Sequence, residues 1–115
     1  MNSQFQAYNV SLELARALRE PLRKIATVDA DLQRQLRRAT HSIVLNLREG
    51  SRRVGRDRLH LFRIAAGSAA EVQASLDLAD AFGYNVGDVK PAQELADRLL
   101  AMLWRLTERR TPTKK

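Results

Sequence analysis

The sequence predicts an all-α protein, an antiparallel up-down-up-down four-helix bundle. In four segments, apolar residues recur at spacings of three and four, which places them on one face of a helix. Leu, Ala and Arg dominate the composition, and only five Gly and three Pro occur. No segment shows the alternation of apolar and polar residues that is typical of a strand. Because the turns between the segments are short, consecutive helices should run antiparallel.

The predicted helices span about residues 10–25, 31–53, 56–82 and 90–108, and a short basic tail follows at 111–115. A chain of 115 residues can bury one modest core but not two. We therefore expect a single domain over residues 1–115.

Local signals mark several helix boundaries. Pro21 lies inside the first apolar pattern, where it removes a backbone donor, so we expect a kink or break just before it. Asp29 or Asp31 can cap the second helix. Gly83 suits a left-handed cap at the end of the third helix, and Pro91 suits the first turn of the fourth.

The third predicted helix is apolar on more than one side. One side carries Phe62, Val72 and their neighbours, whereas Ile64, Leu78 and Phe82 spread onto another side. Three partner helices in one subunit should not cover both sides, so this surface predicts self-association.

Positive charge is concentrated in the middle of the chain. The net charge is +7, and residues 34–63 hold nine Arg against two acidic residues. Residues 64–97 hold one Lys against six acidic residues. This asymmetry favours a polyanion such as nucleic acid through counterion release, or complementary patches that join subunits; the sequence leaves both open.

Most of these arginines lie on the second predicted helix and at its turn into the third. Guanidinium groups suit phosphate oxygens, so we expect contacts to the nucleic-acid backbone with little sequence specificity. Aromatic residues are not interleaved with the arginines in the sequence, which argues against base stacking. The candidate nucleic-acid-binding residues are Arg34, Arg37, Arg38, Arg48, Arg52, Arg53, Arg56 and Arg58.

Catalytic and metal sites are not indicated. The chain has no Cys, and Asp57-x-x-His60 is the nearest approach to the Glu-x-x-His of di-iron bundles. No nucleophile is spaced with a base in a recognisable motif. We expect no catalytic residues, no metal, no cofactor and no enzyme activity. No signal peptide or apolar run long enough for a membrane span is visible, so we expect a cytoplasmic protein that has no membrane partner.

Two strings of residues carry a family resemblance. The first covers 37–50, ends in Glu49-Gly50 and is followed by Arg52-Arg53; the second covers 64–71 and has a Gly-Ser-x-x-Glu centre. In this order the chain resembles the bacterial four helix bundle protein family over roughly residues 9–108. That family includes proteins encoded in intervening sequences of large-subunit ribosomal RNA genes. It is also related to the accessory variability proteins of diversity-generating retroelements.

The resemblance implies a ring-like homo-oligomer, most simply a pentamer. It also supports a structural polar network of Asn46, Glu49, Ser68 and Glu71, which match recurring family positions. Within this network we expect Glu71 to be buried and paired with an arginine, for which Arg38 is our choice.

These observations favour a non-enzymatic, oligomeric nucleic-acid-binding or scaffold protein. Its candidate partners are other copies of itself, RNA or DNA, and a reverse transcriptase. The alternative is a protein-interaction adaptor whose basic face pairs with an acidic partner without nucleic acid.

Overall fold

The computed structural model describes residues 2–108, which form five α-helices and no strand. They are α1 (Ser3–Ala17), α2 (Arg19–Ala26), α3 (Ala30–Gly50), α4 (Gly55–Ala81) and α5 (Lys90–Thr107). The all-α prediction is confirmed. The predicted tail at 111–115 lies outside the described residues.

The break predicted near Pro21 is present and separates α1 from α2 at Leu18. Pro21 has no N–H to donate to the carbonyl four residues earlier, so the regular hydrogen-bond series is interrupted there. The backbone at Leu18 stays close to helical, because its N–H donates to the carbonyls of Leu14 and Ala15. Leu18 and Pro21 are both buried, so α1 and α2 contribute to one continuous core.

The predicted start of the first helix is wrong by about two turns. α1 begins at Ser3 rather than near residue 10. The Asn2 side chain accepts hydrogen bonds from the backbone N–H groups of Gln4 (2.8 Å) and Phe5 (3.4 Å), which stabilises this earlier start. The second predicted helix is too long instead, because α3 ends at Gly50 and residues 51–54 form the turn.

The helices pack around an elongated core. α3 packs most extensively against α4, α4 against α5, and α1 against both α5 and α3, while α2 contacts α3. The described residues measure about 52 × 27 × 24 Å along their principal axes. The largest fully buried side chains come from every helix and include Leu14, Ile25, Leu36, Ile43, Leu47, Phe62, Leu76, Leu99 and Leu103.

The beginning of α3 is closed by a set of mutually bonded polar groups. Asp29 caps the helix by accepting from the Leu32 N–H (2.9 Å), as the sequence predicted for Asp29 or Asp31. The hydroxyl of Tyr84 donates to the other oxygen of Asp29 (2.8 Å). Tyr84 is held there because Gly83 ends α4 in a left-handed cap with φ 76°, and the Tyr84 N–H donates to the carbonyl of Ala79.

At the other end of α3, Gly50 makes room for the ring of Phe62. A Cβ built on Gly50 would lie 2.5 Å from the nearest ring carbon of Phe62, which is 1% exposed. This contact joins Gly50, the last residue of the first string, to Phe62, which lies two residues before the second string. It fixes the α3–α4 turn against the core.

The second apolar side of α4 is not covered by any other part of residues 2–108. Ile64, Leu78 and Phe82 are exposed, and so is Gly67, beside which a Cβ would meet nothing within 4 Å. Trp104 on α5 is exposed as well, and it borders a groove shared with Gly67. None of the helices in residues 2–108 is both long and apolar enough to cross a membrane.

Candidate nucleic-acid interface

A basic stripe runs along the exposed face of α3 into the following turn. Residues 34, 38, 41, 45, 48 and 52 follow one another at spacings of four and three, so they lie on one face of the helix. Four of the six are arginines, and all six side chains are exposed. The helical part, from Arg34 to Arg48, covers about 21 Å at 1.5 Å per residue. We call Arg34, Arg38, Arg48 and Arg52 the α3 stripe.

Two of the eight candidate arginines already have acidic partners. Arg34 pairs with Asp31 one turn earlier on α3. Arg53 pairs with Glu49 at 2.8 Å and with Asp57 at 3.5 Å, which joins the end of α3 to the beginning of α4. These pairs are exposed and therefore contribute little to stability, but they neutralise part of the positive field.

Arg58 has a structural position that the sequence did not reveal. Its Nε donates to the carbonyl of Gly50 at 3.2 Å, and its Nη2 lies 3.5 Å from the carbonyl of Ser51. A cation there compensates the partial negative charge at the end of α3, and it shares the Gly50 carbonyl with the backbone N–H of Arg53. Arg58 is half-buried and is thus the candidate least available to a phosphate.

The remaining arginines point into solvent. Arg37, Arg38, Arg52 and Arg56 are exposed, and none of them forms an ion pair with another residue in the range 2–108. Arg52 and Arg56 flank the α3–α4 turn. Their guanidinium groups keep their full donor capacity for an external anion.

Arg48 differs from the others because it contacts an aromatic ring. Its Cζ lies 5.7 Å from the ring centroid of Tyr8 on α1, within the range of a cation–π interaction. Phe5, one turn earlier on α1, is 54% exposed and lines the same small cleft as Tyr8, Arg48 and Ser51. Aromatic residues are not interleaved with the arginines in the sequence, but the fold places Phe5 and Tyr8 of α1 beside Arg48.

The predicted polar network is rearranged. Asn46 Nδ2 donates to the carbonyl (2.8 Å) and the hydroxyl (3.1 Å) of Ser42, and the Ser68 hydroxyl donates to the Ser42 hydroxyl (2.8 Å). Ser42, which was not among the residues predicted for this network, thus connects Asn46 on α3 with Ser68 on α4. Its spacing of four from Asn46 was the available signal. Glu49 lies outside this network and pairs with Arg53 instead.

The predicted burial of Glu71 is wrong. Glu71 is exposed and forms no ion pair within residues 2–108, so the expected buried pair with Arg38 does not exist in this chain. Both residues line one groove between α3 and α4, together with Ser42 and Ser68. Ser68, one turn earlier on α4, reaches α3 through its hydrogen bond to Ser42, whereas the Glu71 side chain is exposed to solvent.

Metal binding gains no support from the described residues. Across positions 2–108, His, Asp and Glu do not gather in any group of three that could hold a metal ion. His41 and His60 are both exposed. The basic face of α3 presents guanidinium groups together with the imidazole of His41.

Comparison with known proteins supports the resemblance carried by the two strings. Neither the curated proteins nor the solved structures include a significant match to this chain. The 23S rRNA-intervening sequence protein family, in contrast, matches residues 3–105. This match covers α1 to α4 and almost all of α5, including the α3 stripe and the Gly50–Phe62 contact. The chain therefore belongs to the 23S rRNA-intervening sequence protein family.

Proposed function

We propose that this protein is a non-enzymatic, oligomeric nucleic-acid-binding scaffold that contacts the phosphate backbone through α3 and the α3–α4 turn. In this proposal α1 and α2 act as one interrupted helix, so the chain forms an up-down-up-down four-helix bundle. Several bundles assemble into a ring, most simply a pentamer. Structured RNA is the first ligand to test, since the family takes its name from a ribosomal RNA intervening sequence.

The imbalance of charge at the α3–α4 turn carries this proposal. Residues 48–58 hold five arginines and only two carboxylates. Both carboxylates pair with the same arginine, Arg53, so Arg52 and Arg56 are left with no acidic partner in the described part of the chain. Neutralising phosphates with such groups releases counterions, which gives affinity without base readout.

Assembly would multiply this effect. A ring presents one copy of the turn per subunit on the same rim, and linked weak sites bind a long polyanion more tightly than one site does. The exposed apolar residues of α4 and α5 support assembly, because a subunit interface would remove Ile64, Phe82 or Trp104 from water.

Reversing the unpaired charges tests the phosphate contacts. We expect Arg52→Glu/Arg56→Glu to weaken binding of structured RNA and duplex DNA by at least about tenfold at low salt. The slope of log K against log salt should fall by about 1 for each phosphate contact that is lost. Fluorescence anisotropy at several salt concentrations measures both quantities.

The matched control is Arg19→Glu/Arg98→Glu, two exposed arginines on α2 and α5. It changes the net charge by the same amount, but neither residue belongs to α3, to the α3–α4 turn or to α4. Equal loss of affinity in both double variants would mean that only net charge matters, and it would refute the proposed interface. If neither RNA nor DNA binds the wild type at low salt, the adaptor with an acidic protein partner replaces this proposal.

The assembly has its own test. Light scattering coupled to size exclusion should report a mass of several subunits, five for the pentamer, at micromolar concentration. Phe82→Ser and Trp104→Ser would identify which exposed apolar surface forms the contact, since both positions are exposed and should tolerate a polar residue. A monomeric wild type would contradict the scaffold part of the proposal.

A further inference from the structure

Two aromatic rings of α1 lie beside the basic stripe, in a place that phosphate contacts alone do not explain. Phe5 and Tyr8 are three residues apart and hence share a face of α1. Together with Arg48 and Ser51 from the end of α3, they line a shallow cleft of about 170 Å³. From this juxtaposition we propose that the cleft stacks an unpaired base, so that the protein binds single-stranded nucleic acid in preference to duplex. This inference rests on the proposed nucleic-acid-binding function and specifies its ligand.

Tyr8 has the rigidity, and Phe5 the exposed ring surface, that a stacking site requires. Tyr8 is half-buried against the core, and the Arg48 guanidinium lies over its ring at 5.7 Å. Contact on two sides limits the motion of this ring, so little conformational entropy is lost when a ligand binds. Phe5 leaves about half of its surface open to solvent and can receive the face of a base.

The electrostatics of the cleft suit the sugar–phosphate on either side of such a base. Arg48 borders the cleft, and Arg52 follows Ser51 directly in the chain. α1 begins at the cleft with its positive end, and its first turn holds no acidic residue. The neighbouring carboxylate, Glu49, is engaged by Arg53 at 2.8 Å. When the phosphates of a single-stranded nucleic acid contact the α3 stripe, one of its bases can therefore lie in the cleft. The phosphates on either side of that base then meet positive charge.

The size of the cleft restricts the ligand to a single group. Pockets that enclose drug-sized molecules measure roughly 300–1,000 Å³, so this cleft suits one ring and not a whole cofactor. Bases in a duplex are stacked on each other and do not present their faces, whereas unpaired bases do. The preference for single strands over duplex should then come from the aromatic rings, and the overall affinity for nucleic acid from the arginines.

The experiment compares Phe5→Ala with Val28→Ala as the control. Both apolar side chains are exposed, Phe5 to 54% and Val28 to 59%, and Val28 lies at the opposite end of α3, just before its cap Asp29. Labelled oligo(U), oligo(dT) and a duplex of the same length are titrated by fluorescence anisotropy. We expect the wild type to prefer the single strands. Phe5→Ala should lose about fivefold or more on both single strands, which corresponds to about 1 kcal/mol of stacking.

The affinity for the duplex should not change in Phe5→Ala, and Val28→Ala should match the wild type on all three ligands. Equal wild-type affinity for single strands and duplex, or no loss in Phe5→Ala, would overturn the stacking site. The double variant Arg52→Glu/Arg56→Glu in the same titrations separates the two proposals. If it alone weakens binding, the phosphate interface stands and the stacking site fails; if no strand binds the wild type, both fail.

Discussion

The two ends of α3 contrast in how their charges are compensated. Residues 27–37, at the beginning of the helix, hold two aspartates and two arginines. There Asp29 accepts from the Leu32 N–H and the Tyr84 hydroxyl, and Asp31 pairs with Arg34. Residues 48–58 make up a segment of equal length at the other end but hold five arginines against two carboxylates. There the close packing of Gly50 and Phe62 coexists with arginines that have no acidic partner in the described chain.

This difference separates structural polar groups from those available to a ligand. At the beginning of α3, both aspartates are engaged, and the hydrogen bond from Tyr84 to Asp29 connects the α4–α5 loop to the helix. Arg37 is the one arginine of residues 27–37 without an ion pair in the described part of the chain. At its end, the fold depends on the apolar Gly50–Phe62 contact and on Arg58, while the charges of Arg52 and Arg56 serve no contact within residues 2–108. Surface charges without partners repel one another, so an anionic ligand would relieve that repulsion.

The largest expected effect on stability is at Gly50. Gly50→Ala places a methyl group 2.5 Å from a buried ring carbon of Phe62, and we expect this overpacking to cost about 1–3 kcal/mol in the free energy of unfolding. Gly67→Ala on α4 is the control, because its new methyl group meets nothing within 4 Å. In the monomer it should be neutral or stabilise by up to about 1 kcal/mol, since Ala favours helix.

Urea unfolding of the two variants decides the point. If Gly50→Ala is as stable as the wild type, the Phe62 ring moves freely and the turn is not fixed by this contact. Because oligomerisation adds to apparent stability, both variants should be compared at the same protein concentration.

A smaller, pH-dependent effect is expected at the beginning of α3. The hydrogen bond from the Leu32 N–H and then the one from the Tyr84 hydroxyl lower the pKa of Asp29 below its ordinary 3.8. Its contribution to stability is present above pH 3.8 and is lost as the pH falls through the lowered value. The hydrogen bond to Asp29 raises the pKa of Tyr84 above 10.0, so that contribution is present below pH 10 and is lost as the pH rises through the raised value.

Tyr84→Phe should therefore lower the melting temperature by a constant small amount between about pH 4 and pH 10. Outside this pH range, the difference in melting temperature between Tyr84→Phe and the wild type should become smaller. Tyr8→Phe, at the opposite end of α3, provides the comparison. A Tyr84→Phe difference that does not vary from pH 3 to pH 11 would mean that the hydrogen bond to Asp29 is absent in solution.

Local sequence patterns predicted most of the helices but not the tertiary contacts that each helix makes. The spacing of apolar residues located α3, α4 and α5, and the backbone chemistry of Pro21 and Gly83 located a break and a cap. The start of α1 was missed because it depends on one capping side chain, that of Asn2. The first residues of α1 also show only a weak helical spacing of apolar residues. The exposure of Glu71 could not be read from a helical wheel, because it depends on how closely α3 approaches α4.

The candidate site shows the same limit. The arginines and their common face on α3 follow from the sequence, because they belong to one helix. Which of these arginines are already engaged by other parts of the protein does not follow from the sequence. Arg58, on α4, donates to a carbonyl at the end of α3, and Arg48 contacts the ring of Tyr8 on α1. These contacts join residues far apart in the chain, for which the sequence contains no local signal.

The salt dependence of RNA binding by the wild-type protein tests the central claim most directly. The affinity for structured RNA is measured by anisotropy over a series of salt concentrations. A phosphate interface predicts a straight decline of log K against log salt, with a slope magnitude of about 2 or more, as expected when at least the two unpaired arginines of the turn neutralise phosphates. No detectable binding at low salt, or affinity that does not change with salt, would contradict the account.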